Sequence, residues 1–193
     1  MIKIREFKAS DVPAVKKFTD ENIGENYYTL EELEANQARS VSRGITTSFI
    51  LVDEHLTAEL RPSEKILGLR LAYGPGQWNH GKGSKLRPEL WGHSIQELAY
   101  FQSLFVSESV RGMNFGPELS LRSIDAFKKL NAKAILTHSW KESPNNSSVR
   151  YLEKIGFKAL AEHPEYWIDV DYVCTRDGKP CRCTAIEMLL ELT

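Results

Sequence analysis

The chain has 193 residues, of which 41% are hydrophobic and 26% are charged, which suits one globular domain over residues 1–193 with a sizeable core. Its 25 basic and 26 acidic residues nearly cancel, so the charge balance favours neither a nucleic acid nor an anionic membrane as a partner. The sequence has no run of ~18 apolar residues that would span a membrane and no apolar signal peptide at its N-terminus, so we expect a cytoplasmic protein.

The first half of the chain is predicted to contain strands and helices in alternation. Residues Ile2–Phe7 alternate polar and apolar side chains like a β-strand. A helix with Pro13 in its first turn follows, and the capping-box pattern Thr29-Leu30-Glu31-Glu32 predicts the start of a second helix. The residues expected to face inward from this second helix are Leu30, Leu33 and Val41.

The next predicted elements are a strand pair and a long loop. Residues Thr47–Val52 and Lys65–Ala72 are expected to pair as strands through a polar turn over Glu59–Glu64. Residues Gly74–His93 hold several glycines and prolines together with Trp78 and Trp91, which is typical of a long irregular loop that packs on something.

The second half of the chain completes the predicted fold. An apolar central strand is expected over Leu98–Val106, followed by these elements: a helix from Pro117 to about Leu130, a strand over Ala132–Leu136, a helix over Asn145–Lys154, and closing strands over Phe157–Ile168 and Thr184–Leu192. Because helix and strand periods alternate, we predict an α/β fold with a mixed central sheet flanked by helices and a C-terminal β-hairpin.

The turn between the central strand and the following helix has the composition of a phosphate-binding loop. Gly112 and Gly116 allow a close approach of the backbone, and Pro117 suits a first helical position because its missing N–H is not needed there. A helix N-terminus presents unpaired N–H groups and the positive end of the helix dipole to an anion. An ordinary glycine-bearing turn explains this segment equally well when it is taken alone.

A second segment follows about thirty residues later, with Asn145, Ser148, Tyr151, Leu152 and Gly156-Phe157. Together the two segments resemble the main signatures of the GNAT superfamily of N-acetyltransferases. The first resembles the Arg/Gln-x-x-Gly-x-Gly/Ala loop that holds the pyrophosphate of coenzyme A. The second resembles the Asn-x-x-Ala/Ser-x-x-x-Tyr-x-x-x-Gly-Phe helix that lines the pantetheine arm.

The resemblance implies acetyl-coenzyme A as the acetyl donor and a set of residues that bind it. In family members, strand-edge backbone and the loop after it hold the donor, and an Asn and a small residue on the later helix contact the pantetheine. The matching positions here are Leu104, Phe105, Val106, Arg111, Gly112, Met113, Asn114, Phe115, Gly116, Pro117, Asn145 and Ser148.

Two positions depart from the family pattern. Asn114 stands where the family has the first glycine of the loop, and Asn is the residue that best tolerates a positive φ after glycine. The family tyrosine that protonates the leaving thiolate falls on Leu152, and the adjacent Tyr151 lies a rotation of ~100° away around the helix.

The sequence offers several candidates for the group that accepts the proton of the amine, and it does not choose between them. They are Glu97 and Tyr100 on the central strand, His138 and Glu142 after the next strand, and Tyr151 as a possible acid. We select His138, Glu142 and Tyr151, although each also has an ordinary structural explanation as a core histidine, a surface carboxylate or a packing residue.

Three cysteines, Cys174, Cys181 and Cys183, cluster around a predicted Asp177-Gly178 hairpin turn that sets Cys174 opposite Cys181. They fit a zinc site completed by a nearby His or Asp, a cross-strand disulfide, or three buried apolar side chains. Because the Cys-x-x-Cys spacing and an evident fourth ligand are missing, we expect buried side chains and no metal site.

The sequence therefore predicts an N-acetyltransferase that transfers an acetyl group from acetyl-coenzyme A to an amine by direct attack in a ternary complex. The expected partners are a small-molecule or peptide amine and no nucleic acid or membrane, for a monomer or homodimer. The alternative is a module that binds coenzyme A or its acyl esters without catalysis, and a third possibility is an interaction domain whose turn binds nothing.

Overall fold

The structure is a computed structural model that describes residues 1–56 and 62–192. Its strands are Ile2–Glu6 (β1), Val41–Ser42 (β2), Ile45–Thr46 (β3), Phe49–Leu56 (β4), Pro62–Tyr73 (β5), Leu98–Val106 (β6), Ala134–Trp140 (β7), Lys158–His163 (β8) and Ala185–Glu191 (β9). Seven of them form one sheet in the order β1-β4-β5-β6-β7-β9-β8, and β2 pairs with β3 separately.

The sheet is mixed, as the sequence predicts. Neighbouring strands are antiparallel except β6 and β7, which run in parallel. A parallel pair needs a crossover long enough to return the chain to the same edge, and the helix Phe115–Lys129 (α3) supplies it. This pair lies near the middle of the sheet and determines where the functional cleft opens.

Helices cover both faces of the sheet. The helices Val12–Asn22 (α1) and Leu30–Arg39 (α2) pack through Val15, Phe18 and Leu33 into one cluster of buried side chains. The helix α3 and the helix Ser147–Lys154 (α4) cover the opposite face, where Phe127 and Leu152 are buried. The sheet is thus buried on both sides, which accounts for its apolar central strand.

Several predicted boundaries are correct and others shift. The strand Leu98–Val106 is confirmed, as is the capping box, in which Thr29 Oγ1 accepts from the Glu32 N–H at 3.1 Å. In contrast, Leu30 and Val41 are exposed, so only Leu33 faces inward from the second helix. The predicted turn over Glu59–Glu64 lies partly in residues 57–61, outside the described residues, and residues 62–64 belong to β5.

The helix and strand ends around the predicted site also differ from the expectation. The helix α3 begins at Phe115, two residues before Pro117, and α4 begins at Ser147 because Asn145 and Asn146 both have positive φ. The strand β7 extends to Trp140, and β8 ends at His163. Residues 164–184 after β8 therefore form a long irregular segment.

The loop Gly74–His93 is irregular apart from a short 3₁₀ turn at Pro88–Leu90. Its two tryptophans are buried: the Trp78 indole donates to the Leu98 carbonyl at 2.9 Å, and the Trp91 indole donates to the Glu187 carboxylate. These contacts fix the loop against the sheet.

The cysteine hairpin has a tighter register than predicted. Cys174 pairs with Gly178, with N–H···O distances of 2.8 and 3.0 Å, and it does not lie opposite Cys181 in a strand ladder. The turn is therefore centred on Arg176 and not on Asp177-Gly178 as the sequence suggests, and Gly178 closes it with a positive φ.

Candidate functional site

A gap opens where the parallel strands β6 and β7 separate. They pair from Leu98 with Ala134 to Phe101 with Thr137, and beyond this point β6 continues along β5 while β7 continues along β9. A register shift in the β5–β6 pairing leaves Gln102 without a partner residue on β5 at the start of the gap. Bulges of this kind commonly lie beside functional sites.

The edge of β6 presents unpaired backbone N–H groups to this gap. The Ser107 N–H donates to the Leu67 carbonyl on the β5 side at 2.7 Å. Because successive N–H groups of a strand point to opposite sides, those of Leu104 and Val106 face the gap. They are donors available to a carbonyl oxygen placed between the two strands.

The loop after β6 ends in a helix N-terminus with free N–H groups. Gly112 and Asn114 have φ values of +80° and +66°, a conformation that Gly and Asn adopt most readily. The first N–H to enter the helical pattern is that of Glu118, which donates to the Asn114 carbonyl at 3.3 Å. The N–H groups of Phe115 and Gly116 precede it, so they are free to bind an anion.

These two features border one cleft of about 910 Å³. Every residue predicted to bind the donor lines it except Met113, whose side chain is exposed outside the cleft: Leu104, Phe105, Val106, Arg111, Gly112, Asn114, Phe115, Gly116, Pro117, Asn145 and Ser148. The fold thus brings together two segments that are about thirty residues apart in the chain.

The opposite wall of the cleft is the start of α4. Ser148 Oγ lies 2.9 Å from Ser139 Oγ on β7, and the Ser148 N–H donates to Ser143 Oγ at 3.0 Å. These bonds connect the helix to the separated strand. Leu152, at the position of the family tyrosine, is buried and also lines the cleft.

Arg70 is a lining residue that the sequence analysis missed. Its guanidinium is buried under α3, where it donates to Ser120 Oγ at 2.6 Å and lies 4.0 Å from the centre of the Phe101 ring. Burial lowers the pKa of Arg70, and the neighbouring Tyr151 opposes that shift. Within the described residues no carboxylate pairs with Arg70, and the signal for it was a single charge in the apolar run of β5.

Tyr151 lines the cleft on the same side as Arg70. Its hydroxyl is buried and has no hydrogen-bond partner among the described residues. A buried hydroxyl without a protein partner is costly in a folded protein, so at the edge of a cleft it is available to bind a ligand or a water.

His138 forms the centre of a buried network on the other face of the sheet. Its Nδ1 lies 2.8 Å from the Tyr100 hydroxyl, its Nε2 lies 3.4 Å from Glu187 Oε2, and its ring stacks on Tyr166 at 4.6 Å. Its side chain is 2% exposed although the residue borders the cleft. Sequence reasoning identified His138 and Tyr100 but gave no sign of Glu187, which lies on a strand that closes the sheet.

Burial and the close carboxylate set the ionisation of this network. Burial lowers the pKa of His138, against the opposing effect of Glu187, so the imidazole is neutral at neutral pH. Burial alone would raise the pKa of Glu187, but the nearby His138 ring and hydrogen bonds from Trp91 and His163 bring it down to about 2. Glu187 is therefore ionised, and it stabilises a positive charge on His138.

The remaining predicted base candidates lie elsewhere. The Glu142 carboxylate accepts from the Thr184 N–H at 3.0 Å and lies 3.8 Å from Arg176, and Glu142 does not line the cleft. Glu97 precedes β6 at the end far from the gap, where its carboxylate accepts from Ser94. The structure thus gives both carboxylates local structural contacts, and Glu142 lies outside the cleft that the other selected residues, His138 and Tyr151, border.

A smaller cavity of about 100 Å³ adjoins the cleft on the α1 face. Aromatic side chains and thiols form most of its wall, and Tyr27, Phe105, Trp140 and Trp167 border both cavities. The loop Gly74–His93, expected beside the acceptor, borders neither. The irregular segment 164–184 borders the smaller cavity instead, through Trp167, Tyr172, Cys174, Thr175 and Cys183.

Comparison of the sequence with protein-family models and with characterised proteins gives no match. Comparison of the fold with solved structures finds similar proteins. Arabidopsis thaliana NAA60 in complex with acetyl-CoA is similar with a TM-score of 0.70 and 13% identity, over 100% of this chain and 99% of that one. The ribosomal-protein-S18-alanine N-acetyltransferase from Escherichia coli has a TM-score of 0.65 and 15% identity, over 100% and 95% of the two chains.

A GCN5-related N-acetyltransferase from Kribbella flavida is similar with a TM-score of 0.58 and 19% identity, over 99% of this chain and 98% of that one. No helix in the described part of the chain has both the length and the apolar character needed to cross a membrane. At these identities the similarity establishes the architecture, and the chain has the fold of the GNAT acetyltransferases.

Proposed function

We propose that the chain binds acetyl-coenzyme A in the large cleft and transfers its acetyl group to an amine. The observation that carries the proposal is the coincidence of three donors in one cleft: the free N–H groups at the start of α3, the N–H groups of the β6 edge, and the buried Arg70. One protein of similar fold, Arabidopsis thaliana NAA60, forms a complex with acetyl-CoA, which supports the same ligand.

The residues of the cleft suit the parts of this ligand. The N–H groups of Phe115 and Gly116, with the helix dipole and Arg111, match a pyrophosphate. Arg70 adds a positive charge to the floor of the cleft, where no carboxylate of the described residues pairs with it. Ser148 and Asn145 provide polar groups for an amide-containing arm along α4.

Acetyl-coenzyme A carries its acetyl group as a thioester. A neutral amine attacks the carbonyl carbon of this thioester directly. The N–H groups of Leu104 and Val106 are the donors for the thioester oxygen, whose negative charge grows during attack. The thiol of coenzyme A resembles a free thiol with a pKa of ~8.5, so its thiolate leaves at neutral pH without a strong acid. Leu152 in place of the family tyrosine is therefore compatible with turnover.

The amine must lose a proton before it can attack. Because an alkyl amine has a pKa of ~10.4, deprotonation at pH 7 costs roughly 4 to 5 kcal/mol, so a proton acceptor is needed. Among the described residues that border the cleft, His138 is the one whose ordinary pKa lies near neutrality. We assign His138 as the final acceptor of the amine's proton, because its residue borders the cleft, while the Tyr100 hydroxyl, 2.8 Å from its Nδ1, orients the ring from the buried side. Glu187 then neutralises the imidazolium.

We place the acceptor amine on the α1 face, beside the aromatic cavity. Tyr27, Trp140 and Trp167 provide flat apolar surfaces and no carboxylate borders the cavity within the described residues. This favours an amine carried on a small or apolar group, either a small molecule or a peptide N-terminus. The Escherichia coli enzyme of similar fold, the ribosomal-protein-S18-alanine N-acetyltransferase, is named for an alanine of a protein as its acceptor.

The first experiment is calorimetric titration of the protein with acetyl-coenzyme A and then with coenzyme A. We expect micromolar binding that Gly116→Val weakens at least tenfold. A Cβ at Gly116 would lie 3.6 Å from Leu104 and 3.8 Å from Val106, which is ordinary contact, so the backbone accepts a side chain here, and circular dichroism checks that the two valine methyl groups leave the fold intact. Leu121→Val, on the exposed face of the same helix, is the matched control and retains binding.

Equal binding by Gly116→Val and wild type would reject the assignment of this loop. A second assay measures free thiol released from acetyl-coenzyme A in the presence of small amines and peptides. Release that depends on an acceptor supports the transferase. Tight binding with no release across the acceptors would favour the alternative, a module that binds coenzyme A without catalysis.

A further inference from the structure

Four potential metal ligands converge in the irregular segment 164–184, outside the acetyl-transfer machinery. The Sγ atoms of Cys174, Cys181 and Cys183 and a carboxylate oxygen of Asp177 all lie within 4.8 Å of one another. Cys174 Sγ lies 3.8 Å from Cys183 Sγ, and Cys183 Sγ lies 3.2 Å from Asp177 Oδ2. The three thiols are buried and the carboxylate is at the surface.

These spacings match a tetrahedral ion better than the alternatives. Two sulfurs that bind one zinc at ~2.3 Å are separated by about 3.8 Å across a tetrahedral angle, which is the observed separation of Cys174 and Cys183. A disulfide needs about 2.05 Å, much less than the observed distance. The Cys183 thiol donates to Asp177 Oδ2 at 3.2 Å, so a carboxylate oxygen already lies beside the buried sulfurs as a fourth ligand.

The surroundings of the four ligands hold them in place. The Arg182 N–H donates to Asp177 Oδ2 at 3.1 Å, and the backbone pair between Cys174 and Gly178 fixes the turn that carries Asp177. Arg176 Nη1 lies 3.9 Å from Cys183 Sγ, so a positive charge faces a group that becomes negative when it binds a metal. Outer contacts of this kind orient ligands in metal sites.

We infer that Cys174, Asp177, Cys181 and Cys183 bind one divalent cation of the zinc type in a closed, four-coordinate structural site. Thiolate ligands select zinc over magnesium or calcium, which prefer oxygen. The site supplies the fourth ligand that the sequence spacing did not reveal, and it reverses our expectation of three inert cysteines. Binding deprotonates the thiols and releases their protons to solvent.

The inference explains how a segment with so little regular structure keeps its shape. Within residues 164–184 the only described ladder contact is the single bridge from Cys174 to Gly178. The Tyr166 N–H also donates to the Cys183 carbonyl at 3.0 Å, and a cation bound by residues on both sides of the turn would add a cross-link to these contacts. Cys174 and Cys183 also border the aromatic cavity, so the cation would fix the acceptor wall without touching the coenzyme A cleft.

The first test measures bound metal and needs no assay of catalysis. Protein purified without chelators is analysed for zinc, and we expect a single ion per chain that survives gel filtration. Asp177→Asn and Cys183→Ser should lower zinc affinity at least tenfold. Asp171→Asn is the matched control, because Asp171 is an exposed acid of the same segment that pairs with Lys179, and it should retain the metal.

The second test uses the wild-type chain, so it does not depend on whether a variant folds. After removal of metal with a chelator, titration with Co²⁺ should give the intense thiolate-to-cobalt absorption of a sulfur-rich tetrahedral site, ending at one equivalent. The cluster of His138, His163 and Glu187 also groups potential ligands, but it contains no sulfur and gives no such absorption. The two clusters are thereby distinguished.

Three results would overturn the inference. The first is a chain that takes up no zinc or cobalt when the ions are supplied. The second is metal retained at full stoichiometry by both Asp177→Asn and Cys183→Ser. The third is an intact mass lower by two hydrogens in freshly purified protein, which would show a disulfide. None of these results depends on acetyl transfer, so the site and the proposed function stand or fall separately.

Discussion

The cleft has one wall near α3 and α4 and another near residues 164–184, and the two are built differently. The first consists largely of backbone: N–H groups at the start of α3 and along the edge of β6, with positive φ at Gly112 and Asn114. The second consists of side chains, including Tyr27, Trp140 and Trp167, and it has almost no regular structure of its own.

This difference corresponds to what each wall would recognise. Backbone N–H groups at a helix start suit any phosphate of the right size, so a donor shared by many enzymes needs only a suitable loop. Side chains vary freely without disturbing strand pairing, so they suit the acceptor, which differs between enzymes. Substitutions should therefore affect the donor on one wall and the acceptor or the chemistry on the other.

The largest expected effect is on the rate and comes from His138→Gln. Loss of the proton acceptor should lower kcat by about 100-fold or more while the affinity for acetyl-coenzyme A stays within about twofold. Since burial lowers the pKa of His138, the acid limb of the wild-type pH–rate profile should lie below the ordinary histidine value and vanish in the variant. An unchanged kcat would assign His138 a structural role alone.

The next effect is on stability and comes from Glu187→Ala. The variant leaves the Trp91 indole, the Arg87 N–H and His163 without their acceptor in a buried site, which should cost about 3 kcal/mol of unfolding free energy. The measurement is urea denaturation. A loss below about 1 kcal/mol would show that the network is not the support we describe.

The pH dependence of stability provides a check on the same residue without a substitution. The pKa of Glu187 is depressed to about 2 by the fold. Its contribution is therefore fully present above the ordinary carboxyl value and disappears as the pH falls toward 2. In Glu187→Gln, the part of the acid-induced loss of unfolding free energy that comes from this carboxyl group should be missing. A pH dependence of stability identical to that of the wild type would contradict the assignment.

A smaller effect should separate the two walls directly. Trp167→Ala removes a side chain that borders both cavities and donates to the Tyr27 hydroxyl at 3.2 Å. We expect the KM of an active acceptor to rise about tenfold, from loss of roughly 1.4 kcal/mol of contact, with little change in coenzyme A affinity by calorimetry. If the variant changed the affinity for coenzyme A more than the KM of the acceptor, the two walls would not bind donor and acceptor separately as we describe.

The smallest effect is expected at Asn114. If the loop acts through its backbone, Asn114→Gly keeps the positive φ and should leave coenzyme A affinity equal or up to a few-fold tighter. Asn131→Gly is the control, because Asn131 has a φ of +60° just beyond the other end of α3, outside the cleft. A tenfold loss of affinity at Asn114 alone would show that its side chain contacts the ligand.

The donor wall was largely predictable because its features are local in the chain. A strand, a glycine-bearing turn and a helix follow one another between Leu98 and Lys129, and each has its own pattern in the sequence. The positive φ of Asn114 follows from its residue type. Errors were confined to element ends, such as the start of α3 at Phe115, where capping and tertiary packing decide the last residue.

The remaining features of the site, on both walls, depended on contacts between distant residues. Glu187 meets Trp91 and His138 across many residues of chain, and nothing in the order of the residues places that carboxylate beside the ring of His138. Arg70 appeared only as an unusual charge in an apolar strand, and its stacking on Phe101 was not predictable. Asp177 was noted for its turn and not for the thiols beside it.

The order of the main strands and helices, the central strand and the loop that begins α3 followed from the sequence, because these depend on periodicity and on residues close in the chain, whereas the short strands β2 and β3 were missed. The tertiary structure decided which polar groups are buried together, since burial and convergence depend on how the sheet is assembled. That is why the donor site was visible in the sequence, whereas the His138 network and the four-ligand cluster became visible only in the folded chain.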